Sequence, residues 1–134
     1  MSFHSWELQK AIFTALNGNT SGVNGANVPV YDDVPQGTSY PYVLIGEETT
    51  ANNGSKTLDG VEHTQTIHVW SQYRGRREIK EIMGSVYENL HNADISVSGA
   101  TLVNCRQEFS TTLAENDGIT RHGVMRFRAV VFDN

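Results

Sequence analysis

Apolar residues recur at every third or fourth position in two stretches of the chain, and this spacing predicts two amphipathic helices. The first covers residues 3–17, and the second, which has the clearer pattern, covers residues 76–91. Their apolar stripes consist of Leu8, Ala11, Ile12, Ala15 and Leu16 in the first and Ile79, Ile82, Met83, Val86, Tyr87 and Leu90 in the second. Trp6 and Phe13 lie off the first stripe, which indicates a second contact surface on that helix.

Four other stretches have the short apolar runs or the apolar–polar alternation that is typical of β-strands. They are residues 42–50, 61–73, 101–113 and 124–132. A polar loop at 51–60 joins the first pair and another at 114–123 joins the second pair, so two hairpins are predicted. Val30–Tyr31 and Ile95–Val97 are candidates for two further short strands.

The alternation assigns the apolar side chains of the last two long strands to the core and their arginines to the opposite face. The core set is Val103, Cys105, Phe109, Leu113, Met125, Phe127, Ala129 and Val131. Arg106, Arg126 and Arg128 are expected on the other face, together with Glu108. Arginine and aromatic residues such as Trp70 are enriched in interfaces, so we interpret that face as a protein interface.

The element order of helix, hairpin, helix, hairpin predicts an α+β fold. We expect a four-stranded, mainly antiparallel sheet with two helices packed on one face. The length of 134 residues and the 38% hydrophobic content suit a single globular domain over residues 1–134.

Charge and composition narrow the classes of partner. The net charge is −5, and residues 1–73 hold seven acidic groups against two basic ones, Lys10 and Lys56. Because no basic tract is present, we expect a protein partner rather than general nucleic-acid binding.

No apolar run reaches the roughly 20 residues that a membrane helix needs, and no signal peptide is predicted. The single cysteine excludes an internal disulfide and a Cys-rich zinc site.

Several residues belong to types that act in catalysis or metal binding. His63 and His68 are metal-ligand types, but they lie five positions apart in one strand and therefore point to opposite faces. Cys105 is a possible nucleophile, although its place on the predicted core face is typical of an inert thiol. The adjacent carboxylates Glu47 and Glu48 diverge in a strand and do not converge on one substrate atom.

Asp32 and Asp33, which precede Pro35 and Gly37, are better suited to capping a turn. From these residues we predict no cofactor and no catalytic set.

Arg74, Arg76 and Arg77 cluster at the start of the second helix. They suit an acidic protein face or a phosphate, and equally a solvated helix end. Cations are mildly unfavourable at a helix N-terminus, and this slightly favours a partner.

Several segments, which follow one another in the same order as in a known family, resemble that family over almost the whole chain, about residues 5–132. They are Tyr31-Asp32-x-x-Pro35-Gln36-Gly37-x-x-Tyr40-Pro41-Tyr42-Val43-x-x-Gly46-Glu47, His68-Val69-Trp70-Ser71, Arg77-x-x-x-x-Ile82 with Leu90-His91, Leu102-Val103-Asn104-x-Arg106-x-Glu108-Phe109, and Asp117-Gly118-x-x-Arg121-x-Gly123-x-x-Arg126-Phe127-Arg128-Ala129. The set resembles the small tail-completion, or tail-terminator, proteins of long-tailed phages and phage-derived gene transfer agents. None of these segments is a catalytic signature.

The resemblance implies a structural, non-enzymatic virion protein with an α+β fold. Such proteins form a ring, commonly six-fold, on the head-proximal end of the tail tube. The ring stops tube polymerisation and docks to the head connector, and DNA passes through its lumen without specific binding. The implied partners are further copies of the chain, the tail tube protein and the connector protein. Assembly takes place in the host cytoplasm, and no membrane is involved.

A ring requires that one patch of a subunit meets a different patch of the next. We expect the arginines at 74, 76 and 77, or those at 106, 126 and 128, to meet Glu47, Glu48 or Glu62 of a neighbour. At least one of the loops 51–60 and 114–123 is expected to contact the tube or the connector. Three alternatives stay open: another head-completion or connector protein, a small metal-dependent enzyme using His63, His68 or Asp32, and a dimeric host binding module.

Overall fold

The computed structural model describes residues 4–52 and 60–134 and contains both predicted helices. Helix α1 is Ser5–Leu16 and helix α2 is Arg77–Leu90. Helix α2 starts after Gly75, whose φ of 78° is accessible to glycine at little cost, and ends before Asn92, which is also left-handed with a φ of 56°. The observed ends of both helices lie within two residues of the predicted ends.

The strands are β1 (Val30–Tyr31), β2 (Tyr42–Asn52), β3 (Gly60–Ser71), β4 (Ala100–Ala114) and β5 (Arg121–Asp133). They form one sheet in the order β1-β2-β3-β5-β4. The two predicted hairpins are confirmed, since β2 pairs antiparallel with β3 and β4 pairs antiparallel with β5. Strands β3 and β5 are also antiparallel, and this pairing joins the hairpins at the centre of the sheet.

The expectation of four strands is wrong in one respect, because the sheet is five-stranded and mixed. Strand β1 pairs parallel with β2 through Val30↔Val43 and Tyr31↔Leu44. Val28 and Val30 are buried, so core packing holds this short segment against the edge of β2. The hydrophobic pattern of a two-residue segment carries no information on the direction of pairing.

The second short strand, expected at Ile95–Val97, does not form. The segment carries no strand pairing, yet Val97 is buried and Ile95 packs against the core. Its apolar residues therefore contribute to core packing rather than to a ladder of hydrogen bonds.

Both helices pack on one face of the sheet and enclose the core. Helix α1 contributes Leu8, Ile12 and Leu16, and helix α2 contributes Ile79, Ile82, Val86 and Leu90. The sheet contributes Val43, Ile45, Ile67, Val69, Met125 and Phe127. Phe127 is among the largest fully buried side chains, and truncation of such a side chain costs about 3–5 kcal/mol.

Strand β4 departs from the predicted alternation. Val103, Phe109 and Leu113 are 55%, 42% and 46% exposed, whereas Cys105 is buried as expected. The reason is two β-bulges, one between Leu102 and Asn104 and one between Gln107 and Phe109, each of which adds a residue and shifts the period of two. After the second bulge, Phe109 and Leu113 lie on the sheet face away from the helices.

No helix among residues 4–52 and 60–134 is long and apolar enough to span a bilayer.

Candidate functional site

The sheet face opposite α1 and α2, called the open face below, carries most of the residues singled out in the sequence. The register places Arg106 directly across from Arg128 and Phe109 across from Arg126. Its residues on the five-stranded sheet include Glu47 of β2, Glu62, His68 and Trp70 of β3, Arg106, Phe109 and Leu113 of β4, and His122, Arg126 and Arg128 of β5. The predicted grouping of the three arginines and Trp70 on one face is therefore what the register shows.

Two histidines form the centre of a hydrogen-bonded chain on the open face. The Nδ1 atom of His68 lies 2.7 Å from Nε2 of His122, and the two rings are stacked. The other nitrogen of His68 lies 2.8 Å from Glu47, and the other nitrogen of His122 lies 3.3 Å from Glu115. Trp70 stacks on His122 with the ring centroids 3.8 Å apart. The four polar groups thus form a continuous carboxylate–imidazole–imidazole–carboxylate chain.

The electrostatics of this chain favour a neutral His122. Burial, followed by the neighbouring His68, lowers the pKa of His122 below its ordinary value of 6.5. At the other end of the chain, the hydrogen bond from His68 lowers the pKa of Glu47. At neutral pH, Glu47 at one end of this hydrogen-bonded series is therefore an ionised carboxylate, and His122 is uncharged.

The close approach of His68 to β2 depends on Gly46. A Cβ atom at this position would lie 2.7 Å from Cδ2 of the His68 ring and 3.3 Å from the Thr66 carbonyl oxygen. The distance to the ring is too short for a carbon–carbon contact, so a side chain at position 46 would displace the imidazole from this position against the backbone.

Arg128 and Arg126 are held in different ways. Arg128 donates to both carboxylate oxygens of Glu62, from Nε at 2.8 Å and from an Nη atom at 3.0 Å. This bidentate pair lowers the pKa of Glu62 and raises that of Arg128. Arg126 stacks over the Phe109 ring, with its guanidinium carbon 4.6 Å from the ring centroid. The guanidinium of Arg126 therefore lies flush with the exposed Phe109 ring on the open face.

The adjacent carboxylates Glu47 and Glu48 lie on opposite faces, as alternation along a strand predicts, and a β-bulge in β2 decides which face each of them takes. The register shifts between Ile45 and Glu48, and Glu47 points to the open face. Glu48 points to the helix side, where it accepts a hydrogen bond from Ser5 Oγ at 2.5 Å and lies 3.3 Å from His63. His63 and His68 also lie on opposite faces of the sheet, as expected from their spacing.

The buried side chain of Gln65 holds this bulge in place. Its Nε2 lies 2.9 Å from the carbonyl oxygen of Gly46, 3.2 Å from that of Glu47 and 3.0 Å from that of Thr66. One amide thus satisfies backbone acceptors that the bulge removes from regular ladder positions.

The arginines at the start of α2 form a separate group, called the α2 arginines below. Arg74, Arg76 and Arg77 are all exposed, and Arg77 donates to Glu81 at 3.2 Å, one turn further along the helix. The structure does not bring this group onto the open face.

The residues considered for chemistry are not assembled into one site. Cys105 is buried, and this burial raises the pKa of its thiol to about 11. Among residues 4–52 and 60–134, no group of three or more His, Cys, Asp or Glu side chains is arranged to hold a metal ion. Asp32 accepts a hydrogen bond from Gln9 at 3.0 Å, on the helix side of the molecule.

Sequence reasoning missed His122 and Glu115. His122 has the same parity as Arg126 and Arg128, so extending the last predicted strand from 124 back to 121 would have placed it on the open face. Nothing in the pattern indicates Glu115, which reaches His122 from the loop after β4.

The fold and the open face together define a small two-layer α+β protein with one sheet face exposed and rich in arginine, histidine and aromatic side chains. A family model described as tail completion protein gp17 matches residues 10–132. The chain therefore belongs to the gp17 family of tail completion proteins, and the resemblance to phage and gene transfer agent tail-completion proteins is confirmed.

Two individual proteins support this assignment. The chain is 30% identical over 95 residues to the tail completion protein gp17 of Bacillus phage SPP1, which is 71% of this chain and 70% of that protein. It also matches a chain in the solved structure of the virion of a native gene transfer agent particle. That match has a TM-score of 0.86 and 27% sequence identity, and it covers 98% of this chain and 99% of the other.

Proposed function

We propose that this protein is a structural virion protein that completes the tail of a phage or gene transfer agent. Several copies close into a ring, six-fold in this proposal, on the head-proximal end of the tail tube. The ring stops tube polymerisation and joins the tail to the head connector, and DNA passes through its lumen without specific binding. The protein assembles in the host cytoplasm and carries out no catalytic step.

The observation that carries this proposal is the family match, which extends over residues 10–132. The open face supports it physically. An exposed sheet face that combines Trp70, Phe109 and several arginines has the composition of a protein interface rather than of a solvated surface.

The two arginine groups suit different partners. We propose that the open face, with Arg106, Arg126 and Arg128, contacts the neighbouring subunit. The Glu47 and Glu62 carboxylates lie on the same face and are already paired with His68 and Arg128, so the face presents both signs of charge. The α2 arginines lie off this face and suit an acidic surface on the tube or the connector.

The loop between β4 and β5 is a further contact element in this proposal. Asp117 orders it by accepting hydrogen bonds from the backbone N–H groups of Ile119 and Thr120, both at 2.8 Å. Ile119 is exposed at its tip. The other loop assigned to tube or connector contact, 51–60, lies mostly outside the described residues.

Native mass spectrometry over a range of concentrations, with negative-stain imaging of the same samples, tests the proposal. We expect closed rings of the wild-type chain, either alone or on purified tail tubes. The double variant Arg126→Glu/Arg128→Glu should weaken ring formation by tenfold or more while the subunit stays folded. Lys80→Glu, a charge reversal on an exposed position of α2, is the matched control and should assemble normally.

Two results would contradict the proposal at different levels. A double variant that assembles like the wild type removes the open face from the subunit interface. A wild-type chain that is dimeric at every concentration and does not bind tubes excludes the tail-completion ring. Binding to head particles but not to tails would instead indicate a connector protein.

A further inference from the structure

The most extended exposed apolar surface of a strand lies on β4, at one edge of the sheet. Val103, Phe109 and Leu113 are called the β4 patch below. They are each more than two-fifths exposed because the two bulges turn them away from the core. Only β5 pairs with β4 among the described residues, so the outer side of this 15-residue strand has no strand partner there. His91 and Asn92 hydrogen-bond the outer backbone only in the middle of the strand, at Gln107 and Cys105. A long edge strand with exposed apolar side chains favours association unless something covers it.

A second apolar surface lies at the other edge of the molecule. Trp6 and Phe13 on the outer side of α1 are 57% and 38% exposed. Together with Gln9, Lys10, Thr14, Asp32 and Ile45 they line a groove of about 330 Å³, called the α1 groove below. Asp32 directly follows β1, the edge strand opposite β4, and its hydrogen bond with Gln9 ties α1 to this edge.

The charges around the two surfaces are complementary. The β4 patch has Glu108 beside Phe109, and Arg126 stacked over the same ring. The α1 groove has Lys10, whose Nζ lies 5.8 Å from the Trp6 ring centroid, and Asp32. Each surface therefore offers one cation and one anion around an aromatic centre, in a combination that allows two opposite-charge pairs.

We propose that the β4 patch of one copy packs into the α1 groove of the next copy, with Glu108 facing Lys10 and Arg126 facing Asp32. Phe109 is the apolar anchor, and it packs against the exposed Trp6 and Phe13 of the next copy. The two surfaces lie at opposite edges of the sheet, so the contact is heterologous and leaves one surface of each kind for a further copy. Copies added in this way form a series, and the inference rests on the proposed function for the closure of the series into a ring.

The test is a charge swap within one chain, read by native mass spectrometry. Lys10→Glu and Glu108→Lys, each alone, should raise the concentration needed for ring formation by about tenfold. The double variant Lys10→Glu/Glu108→Lys should restore assembly to nearly the wild-type concentration, because every interface then contains the reversed pair. Rescue of this kind requires that the two residues meet across the interface.

The apolar part is tested by Phe109→Ser, with Tyr87→Ser as the control. Both aromatic side chains are about two-fifths exposed, and Tyr87 lies on α2, outside the β4 patch and the α1 groove. We expect Phe109→Ser to abolish ring formation and Tyr87→Ser to leave the assembly of copies unchanged. Far-UV circular dichroism of each variant confirms that the subunit is folded.

The outcomes separate this inference from the proposed function. Rings that form in the wild type but show no rescue by the double variant, or that tolerate Phe109→Ser, overturn the inference and leave the ring intact. A wild-type chain that forms no oligomer with or without tail tubes overturns both. Loss of tube binding in Phe109→Ser with unchanged rings assigns the β4 patch to the tube instead, and this also overturns the inference.

Discussion

Replacing Gln65 with methionine should lower the free energy of unfolding more than the same replacement at a glutamine that holds no bulge. The Gln65 side chain is 1% exposed and lies within 3.2 Å of three backbone carbonyl oxygens around the β2 bulge. Methionine has similar length and volume but no N–H group, so packing is conserved while the amide donors are lost.

The size of the effect follows from the number of donors. The amide has two N–H groups, and each intramolecular hydrogen bond contributes about 0.5–1.5 kcal/mol to stability, so Gln65→Met should cost about 1–3 kcal/mol. For a chain of this size, the loss corresponds to a decrease in Tm of about 3–12 °C.

Urea unfolding at pH 7, followed by tryptophan fluorescence and far-UV circular dichroism, measures this difference. The matched control is Gln36→Met, because Gln36 is exposed in the segment between β1 and β2, away from the bulges of β2 and β4. The control should cost about 0.5 kcal/mol or less. Equal losses in the two variants would refute the role of Gln65 in holding the bulge.

Two further predictions concern His122 and Cys105. The pKa of His122 is lowered in the folded state, so below pH 6.5 the unfolded state binds more protons and the free energy of unfolding decreases as the pH is lowered. His122→Gln should flatten this dependence between about pH 6.5 and 5 in urea titrations. An unchanged dependence in the variant would contradict the prediction. Cys105 has a raised pKa and no exposed surface, so a thiol reagent at pH 8 should label it only in urea, and rapid labelling of the folded protein would show that the thiol is accessible.

The long elements of the fold could be predicted because each has a strong period. Both helix stripes and the β2–β3 and β4–β5 hairpins are where the pattern puts them. The bulges of β4 could not be predicted, because each bulge adds a residue without changing the composition of the strand. The alternation places Val103, Phe109 and Leu113 in the core for this reason, whereas the structure exposes them, and their exposure carries the proposed contact between copies.

The candidate site could be predicted only in part. The parity of Arg126 and Arg128 places them correctly, since β5 has no bulge. The imidazole chain depends on a contact between His68 and His122, which are 54 positions apart, and on the absence of a side chain at Gly46. Neither feature has a local signal, so the sequence shows two separate histidines where the structure shows one connected group.

The strand order β1-β2-β3-β5-β4 has a consequence for how the protein is made. Strand β5 lies between β3 and β4, although the ribosome synthesises it after both of them. A nascent chain that has emerged as far as β4 therefore has two long strands with no partner between them, and each exposes unpaired backbone groups. The sheet closes only when Arg121–Asp133 has left the exit tunnel, so its completion includes a non-local pairing step in which β5 inserts between two earlier strands.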